Sequence, residues 1–284
     1  MCLVGLAVDQ HPRFALVLAA NRDEYFERPT APLGWWPADS PSILGGRDLK
    51  DGGTWLGLTS AGRLALVTNI RRPSAIDPQA HSRGAIVPQW LRGDSDAGPF
   101  CAELARSRYN PFNLIAADLR RGECWWTSSD APGPHPLGRA LYGLSNASLD
   151  TPWPKVQRLK AGMRDALAVA ESAQALTKHL FAALSDTTPA DDDTLPRTDI
   201  PIERERQLSS AFISMPDRRY GTRCSTLLIT ERVGKRCVTH VLERSFLADG
   251  SSLPVRRAIL TAWPPRNDAD AHACALSKAV EDAV

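Results

Sequence analysis

Two groups at the very start of the chain can do chemistry together. Cys2, in "MCLVGLAVDQ", carries a thiol, and loss of Met1 would leave it with a free α-amine as well. A free α-amine titrates near ~7.7–8.0, so it can take a thiol's proton at working pH without a histidine. The same cysteine also fits the role of a small hydrophobe opening a buried strand. Its neighbours decide between the two. After the second apolar run, in "AANRDEYFERP", four polar side chains follow one another: Asn21, Arg22, Asp23 and Glu24. If residues 2–9 and 14–20 pair as a hairpin, these four emerge beside Cys2. There a carboxylate can hold the amine and an arginine can lower the thiol pKa. Taken alone, the four are an ordinary solvated strand end. A second nucleophile has some claim, because residues 143–147 approximate the G-x-S-x-G elbow, with Ser145 at its centre and His240 downstream. Against that serine hydrolase reading, Asp150-Thr151-Pro152 separates Ser145 from the next helix.

The elements that must position these groups read as strands, helices, strands, helices, strands. The apolar runs 2–9 and 14–20 form a first hairpin, and 54–59 with 63–70 form another around Ser60-Ala61-Gly62. Between them, residues 21–55 are rich in Pro and Gly-Gly and predict a long irregular surface segment. Helices are expected at 84–92 and 98–107, then strands near 112–118, 123–128 and 140–145. Residues 153–184 give the clearest helical periodicity, through Trp153, Val156, Leu159, Met163 and Leu167. An exposed acidic loop spans 185–201, and strands return at 223–230, 237–246 and 256–262. Hairpins separated by helical pairs favour an α+β architecture of two stacked antiparallel sheets with helices outside, the first strand central and opening at its end into a cleft.

Composition excludes several classes. The 284 residues carry 34 basic and 32 acidic side chains, too even a balance for a nucleic-acid binder. Six scattered cysteines with no C-x-x-C pair predict reduced thiols and no metal site. The N-terminal apolar run stops at Asp9 and no later run reaches the length of a membrane span, so a cytoplasmic location is expected. The histidines occur singly, without ligand spacing.

The start Met-Cys, "ANRDE", "LGGRDLKDGGTWLGLT", "LALVTN", "YGLSNASLDTPWPKV" and "YGTRCSTLLI", in this order, resemble the NRDE family, which includes the Transport and Golgi organization 2 proteins. The resemblance covers about 1–246 of a chain expected to form a single domain over 1–284. The family in turn resembles N-terminal nucleophile hydrolases of the choloylglycine hydrolase and acid ceramidase type. That implies a four-layer α-β-β-α sandwich and hydrolysis of a non-peptide amide. It implies Cys2 as nucleophile, Arg22 and Asp23 beside it, Asn69 and Asn146 around the acyl oxygen, and Arg223 as a later active-site arginine. In those amidases the arginine and aspartate are not adjacent, so Asn21 or Glu24 can hold either role. The chemistry is coherent, since a side-chain amide aimed at a developing oxyanion is worth roughly 2.7–4 kcal/mol. Arg223, preceding an apolar run, needs a partner such as Asp23 or Glu24. No catalytic cofactor or metal is implied. The alternative within the same family is a haem-binding, haem-trafficking or lipid-related protein without turnover, with Cys2 or any of His11, His81, His135, His179 and His240 as a haem ligand.

Overall fold

The computed structural model describes residues 2–37, 42–104, 107–276 and 279–283. In chain order the strands are β1 (Cys2–Val8), β2 (Phe14–Tyr25), β3 (Thr30–Trp35), β4 (Ile43–Asp48), β5 (Leu56–Thr59), β6 (Arg63–Asn69), β7 (Phe112–Asp118), β8 (Glu123–Ser128), β9 (His135–Pro136), β10 (Leu141–Leu144), β11 (Ser214–Met215), β12 (Tyr220–Val233), β13 (Arg236–Ser245), β14 (Val255–Thr261) and β15 (Val280–Ala283). The helices are α1 (Ile86–Arg92), α2 (Ala97–Leu104), α3 (Pro154–Val169), α4 (Ala173–Leu184), α5 (Ile202–Gln207) and α6 (Asp268–Leu276).

Among the described residues the strands form two antiparallel sheets. One runs β10-β1-β2-β12-β13-β14-β15, with β11 paired to β12; the other runs in sequence order from β3 to β9. Side chains of a strand alternate between its faces, and here both faces are covered, so the strands read as nearly continuous apolar runs. Val4 and Leu6 of β1 point between the sheets, where they join Leu18, Leu66, Ile115 and Leu228. Leu3 and Ala7 point the other way, under Val156, Leu159 and Met163 of α3 and Leu180 of α4. On the far side, α1 and α2 press Trp90, Leu91 and Phe100 onto Ala65 and Leu114 of the second sheet. Three apolar layers between four layers of secondary structure make the α-β-β-α sandwich. Beyond residue 247, β14 and β15 extend the first sheet at one edge.

Two expectations are corrected. The segment 21–55 is not a long surface loop, because it holds the end of β2 and all of β3 and β4. Its composition misleads for physical reasons. Pro32 is tolerated since β3 is the sheet's edge, and the glycines of β4 serve close packing: a Cβ on Gly46 would lie 2.2 Å from Cη2 of Trp55. The first strand is also not central, since only β10 separates it from the sheet edge. The expected helix 98–107 is α2 as far as Leu104, and residues 105–106 lie outside the described residues.

Candidate active site

The β1–β2 hairpin sets the site. Its register pairs Cys2 with Arg22 and Leu3 with Asn21, and β12 on the far side of β2 places Cys224 opposite Arg22. Strand alternation then sorts the four polar residues. Arg22 shares the inter-sheet face with Cys2, and both line a cleft of about 490 Å³ together with Glu24, Arg28, Asp48, Trp55, Asn69 and Arg83. Asn21 turns to the helix face, where its amide donates to Leu184 O and Ala211 O and accepts from Ser225 Oγ. It fastens the sheet to the helical layer and takes no part in the cleft.

Arg22 is 6% exposed. Its guanidinium lies 4.5 Å from the Trp55 ring centroid, with Nη2 at 3.8 Å from Glu24 and 3.9 Å from Asp48. Among the described residues, Nη1 is buried with no hydrogen-bond partner. A desolvated donor of this kind costs about 1–3 kcal/mol unless something fills it. Asp48 is shared, since Arg28 donates from Nε to its Oδ2 and from Nη2 to Asp51.

Asp23 also borders the cleft; it is 1% exposed and accepts from Thr222 Oγ1 at 2.8 Å. Burial pushes its carboxyl up, with Lys155 and the Thr222 hydrogen bond pulling it back. Lys155, the second residue of α3, is 2% exposed and is pushed down to about 8 by burial, which outweighs the attraction of Asp23. Beside this pair Arg71 binds Glu205, itself 1% exposed, and stacks its guanidinium 4.7 Å from the Trp153 ring centroid. A buried charged cluster therefore sits directly behind the strand that carries the thiol.

The ends of the two sheets are tied together at the same place. Ser145 Oγ donates to Cys2 O at 2.9 Å, Thr68 Oγ1 to Ser145 O, and Asn113 Nδ2 to Ala147 O. Asn146 Nδ2 donates to Asn69 O at 2.8 Å and reaches Asn69 Oδ1 at 3.4 Å. Asn146 thus points its donor at Asn69. Asn69, whose oxygens receive this donor, also lines the cleft. The Ser145 hydroxyl is committed to backbone, while His240 lies on β13 with Nε2 at 3.9 Å from Glu231, so the serine has no histidine base.

Arg223 does not line the cleft. A bulge between Thr222 and Cys224 takes it out of the β2–β12 ladder, and such bulges re-aim the extra side chain. Its Nη1 donates to Tyr25 O and Arg28 O and its guanidinium lies 5.2 Å from the Phe26 ring centroid, so it clasps the β2–β3 turn instead of meeting Asp23 or Glu24.

The Cys2 thiol is 9% exposed and burial pushes its pKa up; Arg22 pulls it down, and Asp23 and Glu24 oppose that pull. The thiol rests protonated, and the arginine alone does not make a thiolate. The residues missed in the sequence are Lys155, Arg83, Arg71 and Glu205. Lys155 had a usable signal, because it precedes Leu159 by four positions and so falls on the apolar stripe of α3. Arg83, in the short 3-10 turn Arg83–Ala85 of a connecting loop, had none.

One glycine permits the close approach of that loop. A Cβ on Gly53 would lie 2.2 Å from Gly84 O, the carbonyl that accepts from Thr54 N. Gly53→Ala is expected to cost about 1–3 kcal/mol in urea unfolding. An unchanged midpoint would show that the loop yields freely.

Among the described residues no group of three or more His, Cys, Asp and Glu could hold a metal ion, and no helix is long and apolar enough to cross a membrane.

The fold and site define a layered α-β-β-α protein with a cysteine at the start of its first strand, lining a charged cleft. The chain belongs to the Transport and Golgi organisation 2 family, whose match spans residues 1–247. It is 35% identical over 268 residues to the Transport and Golgi organization protein 2 homolog of Homo sapiens, covering 87% of this chain and 94% of that protein. Among solved structures, it is similar to a Caenorhabditis elegans N-acylethanolamine-hydrolyzing acid amidase ortholog, with TM-score 0.47, 10% identity, and 80% of this chain and 92% of the other covered. It is also similar to a mutant conjugated bile acid hydrolase from Clostridium perfringens, with TM-score 0.40, 9% identity, and coverage of 82% and 90%.

Proposed function

We propose that this protein hydrolyses a non-peptide amide with Cys2 as nucleophile, after removal of Met1. The observation that carries the reading is that Cys2, Asn69 and Arg22 line one cleft. The buried thiol needs a base, and the free α-amine of Cys2 supplies one close to neutrality. The amine takes the thiol proton, and sulfur bonds to the carbonyl carbon while the π pair moves onto oxygen. Asn69 donates to that oxyanion, held in place by Asn146. Collapse breaks the C–N bond, and the ammonium proton leaves with the departing amine. Water, deprotonated by the same amine, then attacks the thioester carbonyl; the C–S bond breaks and the thiol is restored. Arg22 offers its unfilled Nη1 to the thiolate or the acyl oxygen, Asp23 steadies the ammonium, and Arg223 supports the turn beyond the site.

Intact-protein mass spectrometry with a thiol-directed acylating probe and peptide mapping tests this. Met1 is expected to be absent and Cys2 to label ahead of Cys237, a competing thiol that is more accessible. Retained Met1 with an unlabelled Cys2 would overturn the reading, and a saturating haem titration of the same protein would then favour the binding alternative.

A further inference from the structure

Several carboxylate oxygens of the cleft already accept hydrogen bonds, while Arg22 Nη1 has no hydrogen-bond partner among the described residues. Asp48 Oδ2 takes Arg28 Nε, and its Oδ1 takes the Lys50 and Asp51 backbone N–H groups. Asp51 Oδ2 takes Arg28 Nη2 and Ser82 Oγ, and Glu24 Oε1 takes the Tyr25 N–H. Arg28 is consumed by these pairs. Arg83, which also lines the cleft, donates from Nη1 to Pro111 O, which fixes its side chain, and has no carboxylate within ion-pair distance among the described residues. It is part-buried, and burial disfavours its charge while Cys2 and Glu24 in the same cleft favour it. Arg22 adds its unfilled Nη1 in the same cleft. A part-buried guanidinium with a free edge matches a planar carboxylate, which accepts two parallel N–H bonds.

We propose that Arg83 is the specificity anchor of the cleft, binding the carboxylate of a small anionic amide whose carbonyl is presented to Cys2. This rests on the reading of the cleft as the substrate site. It narrows the substrate class to carboxylate-bearing amides and away from neutral lipid amides, which offer nothing to Arg83.

Binding separates this inference from the catalytic reading, because it needs no turnover. On the Cys2→Ala protein, calorimetry compares N-hexanoylglycine with N-hexanoylglycinamide, and N-hexylsuccinamic acid with N-hexylsuccinamide. The two pairs place the carboxylate on either side of the amide. At least one acid is expected to bind roughly tenfold tighter than its neutral twin, as a charge-assisted pair gives. That preference closes to within about twofold in Arg83→Gln, is partly kept in Arg83→Lys, and shrinks from ~0.05 to ~0.5 M NaCl. No preference in either pair, no binding by any of the four, or a preference that survives Arg83→Gln would overturn the proposal. The Arg83→Lys protein and the salt series keep it falsifiable if Arg83→Gln does not fold. Labelling of Cys2 in the wild-type protein is unaffected by these outcomes, so failure of the anchor and failure of the nucleophile are read separately.

Discussion

Cys2→Ala is expected to lower kcat/KM on an acyl p-nitroanilide by roughly a thousandfold or more, with the unfolding midpoint almost unchanged. The size follows from the chemistry: without the sulfur there is no covalent intermediate, and only the cleft's donors remain to polarise the carbonyl. Stability should hold because Cys2 contributes only a small side chain at a strand terminus, while Leu3, Val4 and Leu6 anchor β1 in two apolar layers. Cys2→Ser sharpens the test. It keeps the α-amine and the steric fit but offers a weaker nucleophile, so a residual rate above Cys2→Ala is expected. Asn69→Ala should fall between, by roughly a hundredfold or more for one lost oxyanion donor. Full turnover by Cys2→Ala would remove sulfur from the mechanism. Loss of turnover accompanied by an equal loss of folded protein would reassign Cys2 to the structure.

How much of this site could be read in the sequence depends on the range of the contacts involved. The pairing of Cys2 with Arg22 is local, because a hairpin between two adjacent apolar runs fixes it and period-two alternation then sends Arg22 to the side of Cys2 and Asn21 away from it. The meeting of Asn69 with Asn146 joins residues 77 positions apart. No spacing rule gives that, and only the family resemblance brought them together. Resemblance also carried Arg223 toward the site, where a one-residue bulge takes its side chain elsewhere. β3 and β4 were illegible for a different reason. Their prolines and glycines signal loops by composition, yet an edge strand tolerates Pro32 and a tight contact with Trp55 requires Gly46. Arg83 is a part-buried arginine in a turn, and nothing in its neighbourhood of sequence distinguishes it from the other arginines. Lys155 breaks an apolar helical stripe, which marks it as either mispaired or useful.

Lys155→Met is expected to make the protein more stable and the site worse. Burial lowers Lys155 from 10.5 to about 8 even though Asp23 attracts its charge. Holding the ammonium there at neutral pH therefore costs about 3 kcal/mol relative to water. The pH dependence has a definite sign. Between about 8 and 10.5 the unfolded chain keeps a proton that the folded chain has released, so this group makes stability rise with pH across that window. Below about 8 both states hold the proton and the penalty is complete; above 10.5 neither does and it is gone. Urea unfolding should show the Met variant ahead by about 1–3 kcal/mol at pH 7, with the gap closing as pH rises through the window. Activity should move the other way. Lys155 and Arg71 place two positive charges against Asp23 and Glu205 behind Cys2, and that crowding disfavours a third charge on the Cys2 amine. On the proposed mechanism, the base would then be kept neutral and ready to accept the thiol proton. Without Lys155 the amine becomes more basic, and the acidic limb of the kcat/KM profile shifts to higher pH while the fold improves. A destabilised variant with an unmoved profile would instead make Lys155 a structural tie for Asp23.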